Sequence, residues 1–163
     1  MAFQTFMKVS GIQGESNDTA HAGWIELLAI GWGVKKPSRS TPGEVARMVA
    51  EDFTVTKALD LSSALLLKAL CENKLLADVT IEFCRAGASD KMKFMEWKFN
   101  NCHVTHYRMN SSESSGVGET LPTEEFSFNY DKFKSTYIQQ KRPDGSPGGS
   151  VMAGGDLKNN SPA

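Results

Sequence analysis

The 163-residue sequence predicts a mainly β fold, an antiparallel sandwich or barrel with one helix. Three observations carry this reading. Apolar and polar residues alternate with period two over much of the chain, as in Val79, Ile81 and Phe83 against Thr80 and Glu82. Clusters rich in Gly, Pro, Ser, Asn and Asp separate these runs at short spacing. Only the segment 60–73 breaks the alternation, and it holds good helix formers without a β-branched residue.

Taken in order, Phe3, Met7 and Val9 mark a first strand, followed by the turn-rich stretch 11–19. The next strand, 24–32, is apolar on both faces: Trp24, Leu28, Ile30 and Trp32 alternate with Ile25, Leu27 and Ala29. Such a strand does not form the wall of a lone barrel with water on one side. A helix or partner chain covers its second face, or that face lines an apolar functional surface. Further strands are expected over 47–58, 79–85, 91–99, 102–107, 126–130 and 133–140, with turns at 37–43, 86–90 and 110–118. Phe126, Phe128 and Tyr130 share one face of their strand and Glu125, Ser127 and Asn129 the other. The helix is expected over residues 61–72, with Asp60 or Ser62 as N-cap and Asn73 near its end. Its apolar positions cover nearly all sides, and Lys68 and Glu72 mark the wet stripe. One barrel face covers part of such a helix, and the remainder calls for a second surface. Residues 1–142 are expected as a single domain and 143–163, rich in Gly and Pro, as a flexible or loosely docked tail.

Composition excludes several classes. Lys plus Arg is 18 and Asp plus Glu 19, so no basic surplus exists to hold nucleic acid. The apolar run 64–67 falls far short of the roughly 20 residues that cross a bilayer, so no membrane insertion is expected. The opening residues lack a basic region followed by an apolar one, so no signal peptide is expected. A chain of this length buries roughly 70% of its unfolded surface and needs neither disulfide nor metal for a core. Cys71, Cys84 and Cys102 are odd in number and form no CxxC, so reduced, mostly buried thiols are expected.

Candidate chemistry is sparse. His103 and His106 have a metal-like spacing, but on a strand they point to opposite faces unless a bulge intervenes. His21 follows a turn that its side chain orders, and Cys102 and His103 are strand neighbours that face apart. Gly116 and Gly118 read as a loop, and Glu124 and Glu125 as a solvated strand edge. With no GxSxG, P-loop or HExxH, no catalytic residue, metal site or cofactor is expected, and the protein is not expected to be an enzyme.

An ordered set of features resembles the hemolysin-coregulated protein (Hcp) family, the tube proteins of the type VI secretion system. These are the opening Met1-Ala2-Phe3-Gln4-Thr5-Phe6-Met7-Lys8, Gly14-Glu15-Ser16, His21, the strand ending in Trp32-Gly33, and Asp52-Phe53-Thr54-Val55-Thr56-Lys57. The helix from Leu61 to Glu72, the strand 77–85 before Ala86-Gly87, the segment 124–129, and Tyr137-Ile138-Gln139-Gln140 before Asp144-Gly145 complete it. The resemblance implies a compact antiparallel β-barrel of two packed sheets with one helix. It also implies a homohexameric ring whose stacked copies form a tube. Sheath, spike and baseplate proteins are its implied partners and effector proteins its lumenal cargo. Export runs from the bacterial cytoplasm through the type VI apparatus to the medium or a target cell. Within that frame Leu27, Ala29 and Gly31 are expected to face the lumen or an adjacent subunit, with Leu28, Ile30 and Trp32 in the core. Leu66 and Leu67 are expected at the lateral subunit contact, and Lys35, Lys36 and Arg39 at ring stacking. The rival reading is a small monomeric ligand-binding or catalytic β-barrel, which the solution mass separates from a ring.

Overall fold

The computed structural model describes residues 3–38, 41–43, 45–86, 91–111, 121–141 and 147–162. Their order is β1 (Phe3–Val9), β2 (Ile25–Leu27), β3 (Ala29–Gly31), β4 (Val34–Lys35), β5 (Val49–Ala50), β6 (Phe53–Ala58), α1 (Ser62–Cys71), β7 (Leu76–Ala86), β8 (Lys91–Asn110), β9 (Thr123–Asn129), β10 (Lys132–Gln140), β11 (Pro147–Asp156) and β12 (Ser161–Pro162). The first sheet runs β12-β11-β10-β8-β7-β1-β2; the second joins β3, β6, β9 and the far half of β8. Every pairing in both is antiparallel. β4 and β5 form a separate two-stranded ribbon. Among the described residues no helix is long and apolar enough to cross a membrane.

Two segments carry the chain from one sheet to the other. The expected strands 91–99 and 102–107 are one strand, β8, which pairs with β7 as far as Cys102 and with β9 from His103 onward. The turn falls at Asn101, whose φ of 53° lies in the left-handed region that a short polar side chain tolerates. The segment 25–31 does the same: β2 pairs with β1, β3 pairs with β6, and between them the Leu28 amide donates to the Thr56 carbonyl at 2.8 Å. Among the described residues β2 and β3 pair with those strands alone, so the barrel is not closed by a continuous ladder; the chain itself spans the gap.

The core lies between the sheets. Phe53 stacks on Phe99 at 4.2 Å and on Phe128 at 4.8 Å. Trp32 packs against the rim of this cluster, and its indole N–H donates to the Tyr130 hydroxyl at 2.6 Å. That hydroxyl donates in turn to the Glu51 carbonyl at 3.0 Å, and burial pushes the phenol up to about 12.

Helix α1 begins where Asp60 Oδ1 accepts the Ser62 amide at 2.8 Å. It ends in a Schellman arrangement: Asn73 has φ 49°, and the Lys74 amide donates to the Ala69 carbonyl at 2.9 Å. Asn73 ends the helix as expected from the sequence, whereas the N-cap position falls on Leu61 and not on Asp60 or Ser62, the Asp60 carboxylate serving from one residue upstream. Its inner face places Ser62, Leu66 and Ala69 in the interior.

Two charges are buried beneath this helix. Lys57 and Glu124, directly opposite one another on β6 and β9, are both fully enclosed. Lys57 Nζ donates to Glu124 Oε1 at 2.5 Å and pairs with Asp60 Oδ1 at 2.8 Å. The Ser63 hydroxyl donates to the same Glu124 oxygen at 2.5 Å. Glu124 is therefore not part of a solvated edge, because period two puts it on the face of Phe126 and Phe128.

The loop 11–24 folds back over the outer face of β1. The Gly14 amide donates to the Gly23 carbonyl at 2.8 Å, and a Cβ on Gly14 would stand 2.4 Å from the Trp24 carbonyl oxygen, so only glycine fits. The Ser16 hydroxyl donates to Glu26 at 2.9 Å. His21 is buried and stacks on Phe6 at 4.2 Å. The Lys91 ammonium, joined by His21, holds the Asp18 carboxyl down to about 2.

The tail differs from the expectation of a flexible or loosely docked segment. β11 pairs with β10 from Lys132↔Asp156 to Ile138↔Ser150, and the Leu157 amide donates to the Asp131 carbonyl at 2.9 Å. Ladder bonds need only backbone, so glycine and serine suffice. At Gly155 a Cβ would lie 2.8 Å from the Phe133 ring, so the glycine is what lets the strand approach. The expected boundary at residue 142 falls within 142–146, outside the described residues.

Lys57→Ala or Glu124→Ala strands one charge in the interior and is expected to cost about 3–5 kcal/mol in urea unfolding. Lys57→Met combined with Glu124→Leu is expected to recover most of that loss. Single variants within about 1 kcal/mol of the parent would contradict the account, since surface positions behave that way.

Candidate assembly surfaces

The strand 25–31 does not keep the faces expected of it. Leu27 is 8% exposed and belongs to the core, whereas Leu28 is 65% exposed. The cause is the change of sheet at Leu28, which slips the alternation by one residue. Before it the odd residues Ile25 and Leu27 point inward; after it the even residues Ile30 and Trp32 pack on the core. Leu27 thus faces neither lumen nor neighbour, and Leu28 is not a core residue. Ala29 and Gly31 are exposed, and a Cβ on Gly31 meets nothing within 4 Å.

These two positions lie on the outer face of the second sheet. In register across it run Gly31, Thr54, Ser127 and His106, then Ala29, Thr56, Glu125 and Arg108. The Thr54 and Ser127 hydroxyls bond at 2.8 Å. The face is small, hydroxylated and charged, a composition that tolerates water without a partner.

The helix presents a different surface. Leu66 is fully buried in the chain's own core, so it cannot contribute to a contact between subunits, and Leu67 is half-buried. The outward leucines are Leu61, 53% exposed, and Leu65, 41% exposed. Ala64 lies on the same outward side, and Leu75 and Leu121 are also exposed. The reason is packing: the 3.6-residue period sets Ser62, Leu66 and Ala69 inward and so turns Leu61 and Leu65 out. Sequence reasoning counted the helix's excess of leucine correctly but took Leu66, which faces the core, for an outward residue, because it had no partner sheet to fix the inner face.

A third surface is the β4–β5 ribbon, pairing Val34 with Ala50 and Lys35 with Val49. Lys35 and Lys36 are exposed at the start of the segment it carries. Arg39 lies outside the described residues.

A fourth surface, which the sequence reading missed, is the far end of the first sheet. Thr5, Phe83, Met95, Tyr137 and Val151 lie in one cross-strand row, and Phe3 stands beside Phe83 at 6.2 Å. Phe3, Tyr137 and Val151 are exposed. Close by, Arg85 Nε and Trp97 Nε1 are buried donors without an acceptor among the described residues. Period two in 133–140 gave a signal for Tyr137; Val151 was concealed by the assumption of a loose tail.

No reacting centre emerges from the residues singled out in the sequence. Burial pushes the Cys102 thiol up to about 12 and the Cys84 thiol up to about 11, the opposite of what a cysteine nucleophile needs. Cys71 is exposed, contrary to the expectation of mostly buried thiols only in its own case. β8 does bulge between Val104 and His106, yet His103 and His106 form no common ligand set among the described residues. The one group there with metal-like convergence is His21, Glu82 and Cys84.

Comparison with known proteins agrees with this architecture. The solved "Structure of a type six secretion system protein" superposes with a TM-score of 0.87 at 26% identity, covering 99% of this chain and 100% of that one. A type VI secretion system effector from Yersinia pestis gives 0.72 at 26% identity, covering 93% of this chain and 98% of that one. Protein hcp1 of Pseudomonas aeruginosa is 26% identical over 165 residues, 98% of each chain. Residues 6–137 match the family described as type VI secretion system effector, Hcp. With most of its length inside that match and the whole fold shared, the chain belongs to the Hcp family of type VI secretion tube proteins.

Proposed function

We propose that the chain assembles as a homohexameric ring, that rings stack into the type VI inner tube, and that effector proteins occupy the lumen. It is a structural component that is exported through the apparatus and not an enzyme. Sheath, spike and baseplate proteins are its other partners. It folds in the bacterial cytoplasm and leaves through the type VI apparatus. The observation that carries the reading is the unburied apolar surface of a chain whose core is already complete. Leu61 and Leu65 gain cover from a neighbour, and so do Phe3, Tyr137 and Val151 at the far end of the first sheet. A closed ring supplies both, and it covers the open edges left by an unclosed barrel.

The lateral contact is assigned to the outer face of α1. Leu61→Asp with Leu65→Asp adds two charges to surface positions, so the subunit is expected to fold and the solution mass to fall from about six subunits to one. An unchanged ring mass would refute the assignment, and a monomeric parent protein would favour the rival monomeric barrel.

The outer face of the second sheet, with Ala29 and Gly31, is assigned to the lumen because its small, hydroxylated and charged residues need no dry partner. Gly31→Arg has open space for its side chain and is expected to preserve ring mass while reducing co-purification of effector proteins. Loss of the ring would move Gly31 to the subunit contact instead.

Ring stacking is assigned to the segment that starts at Lys35, the last residue of β4. Replacing Lys35, Lys36 and Arg39 by Ser is expected to leave rings intact and to lower tube formation and secretion. Stacking by exposed charges should also weaken with salt, because screening acts over about 8 Å at physiological ionic strength. Rings that fall apart would place the segment laterally, and unaltered tubes would remove it from any interface.

A further inference from the structure

The loop 11–24 lays His21 against two side chains of β7, Glu82 and Cys84, which two-residue spacing puts on one face. His21 Nε2 stands 2.9 Å from Glu82 Oε2 and 3.8 Å from Cys84 Sγ, and the three donor atoms lie within 4.8 Å of one another. A nitrogen and a sulfur bound to the same tetrahedral zinc are about 3.5 Å apart, given bond lengths of about 2.0 and 2.3 Å. Only small side-chain shifts separate the observed spacing from that geometry.

The surroundings fit as well. His21 Nδ1 faces Asp18 Oδ1 at 2.7 Å, the outer carboxylate that orients a ligating imidazole in metal sites. Phe6 stacks on one side of the ring and Trp24 meets it edge-on at 4.9 Å. His21 and Cys84 are buried and Glu82 keeps a narrow exposure, which leaves a route in. Lys93 holds the other Glu82 oxygen at 2.9 Å, and Lys91 pairs with Asp18.

We propose that His21, Glu82 and Cys84 bind one divalent transition-metal ion of the zinc class, with Asp18 as the positioning residue and water in the fourth position. Thiolate and imidazole together favour such an ion over magnesium or calcium, which prefer oxygen alone. On binding, the ion takes the place of the Cys84 thiol proton and of the proton between His21 and Glu82. Two protons leave as one dication enters, so the charge of the pocket is unchanged. The ion ties the loop to β7, which makes the proposal independent of how the chain assembles.

The test uses the full chain with Cys71→Ser, so that no exposed thiol competes, freed of metal and titrated with cobalt(II). One equivalent is expected to bind, with a thiolate-to-cobalt band in the near ultraviolet and ligand-field bands of a tetrahedral site. Cys84→Ser is expected to abolish the near-ultraviolet band. Asp18→Asn, which keeps shape and removes the orienting charge, is expected to weaken binding about 10- to 100-fold. Glu82→Gln should weaken it at least as much. Circular dichroism establishes that each variant is folded, and should Cys84→Ser fail to fold, the two amide variants decide. No band at saturating cobalt, a band that survives Cys84→Ser, or unchanged affinity in both amide variants would overturn the proposal.

Discussion

The fold rests on one constraint: two sheets are joined through strands that serve both. β8 turns at Asn101 and the segment 25–31 turns at Leu28, and each leaves one ladder to enter the other. A turn of this kind costs a local break in alternation. The break at Leu28 throws a leucine into solvent and brings Trp32 onto the core rim, where its indole joins Tyr130 and Phe133. It also brings Ala29 and Gly31 to the surface. The character of the second sheet's outer face therefore follows from a geometric requirement at a corner.

The second support is electrostatic. Lys57 and Glu124 occupy core positions, and the interior accepts them because the start of α1 brings Asp60 to Lys57 and Ser63 to Glu124 Oε1. Helix and sheet thereby fix one another: the ion pair needs the helix end as a lid, and the helix gains one register on the sheet. Hydrophobic contact alone is tolerant of sliding. The leucines that face outward are consequently held in a defined place, which is what a repeated contact between identical subunits requires.

The surfaces divide by physical character. The second sheet's outer face is hydroxylated and charged and is stable in water. The outer side of α1 and the far end of the first sheet carry large apolar groups, and the latter also carries buried donors with no acceptor among the described residues. A tube subunit needs both kinds, one for a wet channel and one for its neighbours.

Much was legible in the sequence by itself. Period two identified the strands, and the absence of β-branching with Asp60 and Asn73 at its ends identified the helix, because these signals are local. The ordered features from Met1 to Gly145 identified the family, and Gly14, Ser16 and His21 proved to be the fasteners of a single loop. What the tertiary structure alone decided was everything that depends on which element lies opposite. The face of a strand after a change of sheet, the inner side of a helix apolar nearly all round, and the burial of Lys57 with Glu124 are of this kind. So are the docking of β11, which rests on backbone bonds that side-chain chemistry does not advertise, and the meeting of His21 with Glu82 and Cys84. Local pattern specifies what a segment becomes, but the partner across the core settles which of its atoms meet water.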